Sequence, residues 1–286
     1  MNSNTPPRLP EWLDKRLRWE DTVAVKRILR DGRIRTICEE ARCPNMAECF
    51  KRRTATFLIL GDRCTRGCAF CNVTHDTPRP PDEGEADQIA EAATLLDLRY
   101  AVLTSVTRDD LPDGGAAHFA RVVRTLKARR PGIRVEVLTP DFAGDPAGVR
   151  TVLDARPDVF GHNLETVRSL TPKVRSHASY ERSLAVLRSA AADGRGAVVK
   201  SGIMVGLGET APEIREALAD LRAAGCGVVT LGQYMRPNRG CLPVARYVEP
   251  AVFDEYRAHA EGMGFRKVFA GPYVRSSYLA DELFAE

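Results

Sequence analysis

Long hydrophobic runs are missing from this 286-residue sequence. No stretch approaches the roughly 18 uninterrupted apolar residues that a membrane helix requires, and the N-terminus lacks the apolar centre of a secretory signal. These absences predict a cytoplasmic protein with no membrane partner. A strong charge of one sign is missing too. The net charge is +4, and Lys and Arg alternate with Asp and Glu along most of the amphipathic segments, as on solvated faces. No basic stretch is interleaved with aromatics, so no nucleic-acid partner is expected. Histidine is sparse, with five residues whose spacing forms no metal triad, and no nucleophile–base arrangement stands out. His162 and His177 read as local packing or hydrogen-bonding residues. Apolar residues make up 44% and charged residues 28%, which suits an ordinary globular chain long enough for one large α/β barrel or two small domains.

Cysteine, by contrast, is present and unevenly placed. Six of the eight cysteines fall in two triplets, Cys38, Cys43 and Cys49, then Cys64, Cys68 and Cys71. Disulfides fit poorly with the expected compartment, so metal or cluster ligation is the better reading. Cys226 and Cys241 lie outside both triplets and read as inert.

Residues 1–35 contain no clear strand and read as an irregular or short-helical arm. From residue 56, β-branched apolar runs near 56–60, 100–106, 133–139, 159–164, 197–206 and 228–234 alternate with amphipathic segments near 85–98, 115–130, 146–155, 180–192, 211–224 and 250–262. In the second of these segments, Phe119, Val122, Val123 and Leu126 mark one apolar face. Thr210-Ala-Pro212-Glu213 offers a helix cap with an early proline, and Asp193-Gly194 and Gly225 end helices. Six β/α units predict an α/β fold, a partial parallel (β/α)6 TIM-like barrel. In such folds chemistry gathers where strands end, and Cys64, Cys68 and Cys71 follow the first strand.

Buried small hydrophobes would be the plainest explanation of this triplet, but it stands among Arg63, Arg66 and Gly67 rather than in an apolar run. Three thiolates can hold three corners of a 4Fe-4S cluster and leave the fourth iron open to a small molecule. Zinc competes, with His75 nearby, but a structural zinc site usually takes four protein ligands.

The spacing CxxxCxxC, with Phe70 before Cys71, resembles the radical S-adenosylmethionine superfamily. The resemblance implies that S-adenosylmethionine chelates the open iron, and that one electron cleaves it to a radical able to take hydrogen from unactivated carbon. It also implies cofactor contacts at successive strand ends: Phe70; Asp110, Gly114 and Gly115 after the second strand; Asn163 and Glu165 after the fourth; Lys200 and Glu209 bounding "KSGIMVGLGE".

The first triplet spacing, "CEEARCPNMAEC", is not needed for that cluster. Together with "TATFLILGDRCTR", "VLTSVTRDDLPDGGA", "HNLETV", "LGQYMRP" and "GPYVRSSY", it resembles the lipoyl synthase family over residues 36–279. That resemblance implies a second, auxiliary 4Fe-4S cluster held by Cys38, Cys43, Cys49 and Ser277; Arg275 reads as orienting this segment or binding a carboxylate. It implies three regions: 1–54 with the auxiliary motif, 55–264 as the barrel, and 265–286 with the serine ligand. It also implies insertion of two sulfur atoms, drawn from the auxiliary cluster, at carbons six and eight of an octanoyl chain on a lipoyl carrier domain or glycine-cleavage H protein. An electron donor such as ferredoxin or flavodoxin and an iron–sulfur carrier for cluster repair would be partners. Arg236 and Arg239 are candidates for docking an acidic carrier. Arg53, where the family more often has glycine, and the proline- and acid-rich 74–88 are departures that leave the ligands untouched. The alternatives are another two-cluster enzyme such as a methylthiotransferase, which would be expected to carry RNA-binding regions, or a non-catalytic iron–sulfur carrier or sensor.

Overall fold

The computed structural model describes residues 9–14, 23–32, 34–40 and 43–284. Seven strands form one parallel sheet in chain order: β1 (Thr54–Ile59), β2 (Tyr100–Ser105), β3 (Arg134–Leu138), β4 (Val159–Gly161), β5 (Val198–Val205), β6 (Val228–Gln233) and β7 (Lys267–Gly271). Parallel strands covered on both faces must be apolar along their length, and β1 and β6 are buried at every position. Between the strands run α1 (Glu85–Leu95), α2 (Ala116–Arg129), α3 (Pro146–Leu153), α4 (Tyr180–Ala192), α5 (Ala211–Ala223) and α6 (Pro250–Gly262). This is the expected partial barrel with one strand more than the six read from the sequence. The seventh, Lys267–Gly271, pairs with β6 and opens the 265–286 stretch that was read as an extension.

The helices cover one face of the sheet. Phe119, Val122, Val123 and Leu126 of α2 are all buried, each worth about 2 kcal/mol before the entropy of ordering is subtracted. Thr210 and Glu213 form a reciprocal capping box at the start of α5, with Pro212 inside its first turn.

The other face lines the lumen. After β7 the chain turns into it, so that Val274 and Leu283 meet Val159, Val228 and Phe269, and Ala280 meets Tyr100 and Val102. At the N-terminal side, a helix at Glu11–Leu13 and another at Val23–Asp31 bear out short-helical character in the described part of 1–35. The rest of that stretch lies outside the described residues. Thr36 then bridges Phe57 antiparallel, and Leu58 N donates to Arg35 O at 3.0 Å, so this segment lies along the outer edge of β1. Short helices at Ile37–Glu40 and Met46–Lys51 follow, the second against β1 as well.

Candidate iron–sulfur centres

Beyond β1 the chain forms a loop closed by a two-residue parallel ladder, Arg63–Cys64 beside Thr74–His75. The loop is tied down from neighbouring strand ends: Thr65 N donates to Thr107 O at 3.1 Å, Ala69 N to Val174 O at 3.0 Å, and Leu242 N to Ala69 O at 2.8 Å. Backbone N–H groups point at sulfur. Cys64 Sγ accepts from Arg66 N at 3.4 Å and Thr107 N at 3.3 Å, and Cys71 Sγ accepts from Val73 N at 3.4 Å. Burial and the neighbouring cysteines push the Cys71 thiol up to about 12. Burial also raises Cys68, and the Arg175 guanidinium opposes the rise. Thiols that hold their protons this firmly give them up when a metal cation takes the proton's place.

Arg66, inside the motif, fixes the loop from below. Its guanidinium donates to Asp109 at 2.7 Å twice and to Asp141 at 3.0 and 2.8 Å. Asp141, whose side chain is fully buried, also accepts from Arg182 of α4 at 3.2 Å. Burial works against both charges, but the hydrogen bonds prevail: Arg66 is held above the usual range and Asp141 below it. His162 lies beside this network. Burial pushes it down to about 4, its Nδ1 donates to Thr139 O at 2.9 Å, and its Nε2 is buried without a hydrogen-bond partner among the described residues.

The strand-end residues divide. Phe70 packs with Val174, Met204, Leu207 and Tyr234 at the lumen mouth. Asn163 donates to Glu165 Oε1 at 3.1 Å and to Ser276 Oγ at 2.6 Å. Glu165 is raised by burial, with Arg175 and Asn163 opposing, and its φ of +68° is a strained conformation worth about 1 kcal/mol. These residues share the region of the first-cluster loop.

The others are occupied by the fold. Asp110 pairs with buried Arg108 at 2.8 and 2.7 Å. Glu209 accepts from Gly206 N at 2.6 Å and Leu207 N at 2.9 Å, bracing its own loop. Lys200 is buried in the lumen against Glu136 at 2.9 and 3.0 Å, and Tyr100 donates to the same carboxylate at 2.8 Å. Gly114 and Gly115 have φ of +60° and +88°, and a Cβ at Gly115 would lie 2.4 Å from Leu60 Cδ1. That close approach is to the protein's own side chain. Cys241 is buried and donates to Cys71 O at 3.4 Å, while burial pushes Cys226 up to about 12 among apolar neighbours.

The other triplet, Cys38, Cys43 and Cys49, sits on and between the two short N-terminal helices. Burial, then Cys43, pushes Cys38 up to about 12, while hydrogen bonds from Thr56 of β1 act the other way. Cys49 is raised by burial and by Cys38 and Cys43, so the three sulfurs feel one another. The C-terminal segment comes to them. Tyr278 donates to Glu48 at 2.9 Å, Asn45 to Tyr273 O at 2.6 Å, and Arg52 to Asp281 and Glu282 at 2.8 and 3.0 Å. Burial lowers Arg275, and the nearby Cys43 opposes this.

Among the described residues, no three His, Cys, Asp or Glu side chains converge as a single ion requires. A four-iron cube instead takes each thiolate at a different iron. Two cysteine triplets, with Cys38 buried and the other five half-buried, fit that demand.

Residues 58–221 match the radical SAM superfamily model. The chain is 52% identical to the lipoyl synthase of Caldicellulosiruptor saccharolyticus, over 96% of each chain. Against the lipoyl synthase of Methylococcus capsulatus it is 53% identical, over 97% of this chain and 87% of the relative. Against that of Thermus thermophilus it is 54% identical, over 92% and 82%. The chain belongs to the lipoyl synthase family. It is accordingly a radical SAM sulfurtransferase of lipoate biosynthesis, with S-adenosylmethionine and 4Fe-4S clusters as cofactors. The fold agrees: methylornithine synthase superposes with a TM-score of 0.57 at 15% identity, covering 92% of this chain and 87% of that one. No described helix is long and apolar enough to cross a membrane.

Sequence reasoning missed Arg66, Asp109, Asp141 and Arg182 as a network around the radical S-adenosylmethionine motif, along with Arg175 beside Cys68 and Ser276 beside Asn163. The charges were visible singly. Their pairing joins residues up to 75 positions apart and leaves no local pattern.

Proposed function

We propose that Cys64, Cys68 and Cys71 hold the cluster that cleaves S-adenosylmethionine, and that Cys38, Cys43, Cys49 and Ser277 hold the auxiliary cluster from which sulfur is drawn. With both groups and the cosubstrate bound, the chemistry supplied is one-electron cleavage of the sulfonium, hydrogen removal at carbons six and eight of a protein-bound octanoyl chain, and sulfur transfer to each carbon. The chain's residues set the stage. Backbone N–H groups at Arg66, Val73 and Thr107 stabilise the first set of thiolates, and the Arg66 network keeps their loop from shifting. Asn163 and Glu165 present an amide and a carboxylate to an amine or to ribose hydroxyls.

The observation that supports this reading most is the approach of the Arg275–Tyr278 segment to the second triplet, through Tyr278–Glu48 and Arg275 beside Cys43. An alkoxide is a harder and more readily protonated ligand than a thiolate, so Ser277 suits a bond to iron that must open as sulfur leaves. An octanoylated lipoyl carrier domain or H protein is the substrate under this reading. A ferredoxin or flavodoxin supplies electrons and an iron–sulfur carrier repairs the auxiliary centre.

Anaerobic turnover with dithionite, S-adenosylmethionine and an octanoyl-lysine peptide tests the reading, with mass spectrometry following deoxyadenosine and peptide. The expected result is gain of two sulfurs, with about one product per enzyme in the absence of repair. Deoxyadenosine without sulfur would overturn the substrate, and neither product would favour a carrier or sensor.

A further inference from the structure

The cover over the first-cluster loop is segregated in charge. Three stretches build it, 66–75, 171–179 and 234–248. Ala69 N donates to Val174 O at 3.0 Å, Leu242 N to Ala69 O at 2.8 Å, and Asn238 Nδ2 to Asn72 Oδ1 at 2.6 Å. In a chain with 38 acidic residues, none of the three stretches contains Asp or Glu. Lys173, Arg236, Arg239 and Arg246 stand exposed on them, and among the described residues none of the four has a carboxylate within 4.0 Å. On other faces exposed arginines such as Arg129 and Arg134 are paired, with Asp87 and Asp158. Asp76 and Glu40, at the border of the cover, are bound to Arg63 and Arg35. The cover is also thin. Cys241 is buried and donates to Cys71 O at 3.4 Å, while Arg239 and Gly240 beside it are exposed. One residue's thickness separates the loop from water.

We propose that this face, centred on Lys173 and Arg239, docks an acidic one-electron carrier protein. The inference rests on the reading of Cys64, Cys68 and Cys71 as cluster ligands, and adds where the electron enters. One electron passes from donor to first cluster: the donor is oxidised by one, the cluster reduced by one. The lumen side of the loop is left to the cosubstrate and the acyl chain, so the outer side is the approach that stays open during turnover. There Cys241 bridges Cys71 to the surface. Exposed cations without partners add little to stability, but they draw in an acidic protein and orient it. A donor that must leave after each electron needs a small, charge-steered interface rather than a broad apolar one. The face meets that demand, since the exposed large apolar side chains, Leu9, Trp12, Val23 and Leu95, all lie outside the three stretches. The acyl carrier makes a different demand, because its octanoyl arm must reach between both cysteine triplets. This face rests on one of them, and Arg236 and Arg239 are thereby assigned to the electron donor.

The test is stopped-flow oxidation of reduced flavodoxin by the reconstituted enzyme, in the wild type and in a Lys173→Glu/Arg239→Glu variant, with deoxyadenosine measured in parallel. Neither side chain makes a hydrogen bond among the described residues, so the reversal leaves the cover intact. At low ionic strength the second-order rate of flavin oxidation is expected to fall about tenfold, and the gap to close at about 1 M salt. Deoxyadenosine formed with dithionite, which needs no docking surface, should stay at the wild-type level. An unchanged flavodoxin rate overturns the proposal, as does an equal loss with dithionite, which marks general disruption. A raised KM for octanoylated H protein under dithionite, with flavodoxin kinetics unchanged, gives the face to the acyl carrier and overturns it too. Wild-type enzyme that takes the flavodoxin electron but forms no deoxyadenosine overturns the reading of the first triplet instead, and the flavin kinetics still decide the docking face.

Discussion

Cys64, Cys68 and Cys71 grow directly out of β1 and are fastened by backbone bonds to the ends of other strands. Cys38, Cys43 and Cys49 sit on short helices beside the sheet and lean on a segment about 230 residues further along the chain. Around the first triplet the central supporting charges, Arg66 and Asp141, are buried and doubly paired, while Asp109 and Arg182 at the edge are about a third exposed. Around the second they are half-exposed, with Arg52 at 34% and Asp281 at 29% of full side-chain accessibility. A centre used again at every turnover gains from a rigid frame. If the second triplet holds the centre that gives up sulfur, as proposed, walls that can part suit its rebuilding.

The sharpest way to break the comparison is to remove one ligand from each side. Cys68→Ala should abolish deoxyadenosine formation altogether, whereas Cys43→Ala should leave deoxyadenosine near wild type and eliminate sulfur insertion. Product analysis by mass spectrometry distinguishes them, and equal behaviour would erase the division of labour.

Next in size is the frame itself. Arg66→Gln leaves Asp141 buried with Arg182 as its remaining guanidinium and should destabilise the enzyme by about 3 kcal/mol in anaerobic urea unfolding. A value near zero would show the loop to be held by its backbone bonds alone.

His162 sharpens the same side through pH. Its folded pKa, about 4, lies below the ordinary 6.5, so the unfolded chain binds the proton more readily. The neutral ring's contribution is fully present above pH 6.5 and is lost as pH falls from there toward 4, by up to about 3 kcal/mol. Arg175, Asp141 and Arg66 are the charged groups that face it, the two arginines opposing protonation and Asp141 favouring it. Stability measured between pH 7.5 and 5 should fall less steeply in His162→Gln than in the wild type. Parallel curves would remove His162 from the account.

The smallest effect belongs to the second side. Arg52→Gln removes the pairing with Asp281 and Glu282 of the C-terminal segment but should cost under about 1 kcal/mol, since the pair is partly solvated. Faster loss of auxiliary iron to a chelator is the expected accompaniment, with the first cluster unaffected.

Much of this was legible in the sequence because it is local. Cysteine spacing, the alternation of strands and amphipathic helices, and the Thr210–Glu213 cap all fit within short windows. β7 was not, because Lys-Val-Phe-Ala-Gly is short and opens the stretch that read as a tail. Nor was the fate of Lys200, inside β5, or of Glu209 and Asp110, past the ends of strands; their partners are Glu136, the backbone of one loop, and Arg108. A sequence shows that a charge is near the mouth of a barrel. It does not show whether the fold has already used it.

The strip of chain before Cys38, bridged to Phe57 and accepting from Leu58, occupies the hydrogen-bonding edge of β1. An uncovered outer strand of a parallel sheet is a template for another molecule's strand. A chain whose strip has come loose from Phe57 and Leu58 therefore offers a sticky border to its neighbours.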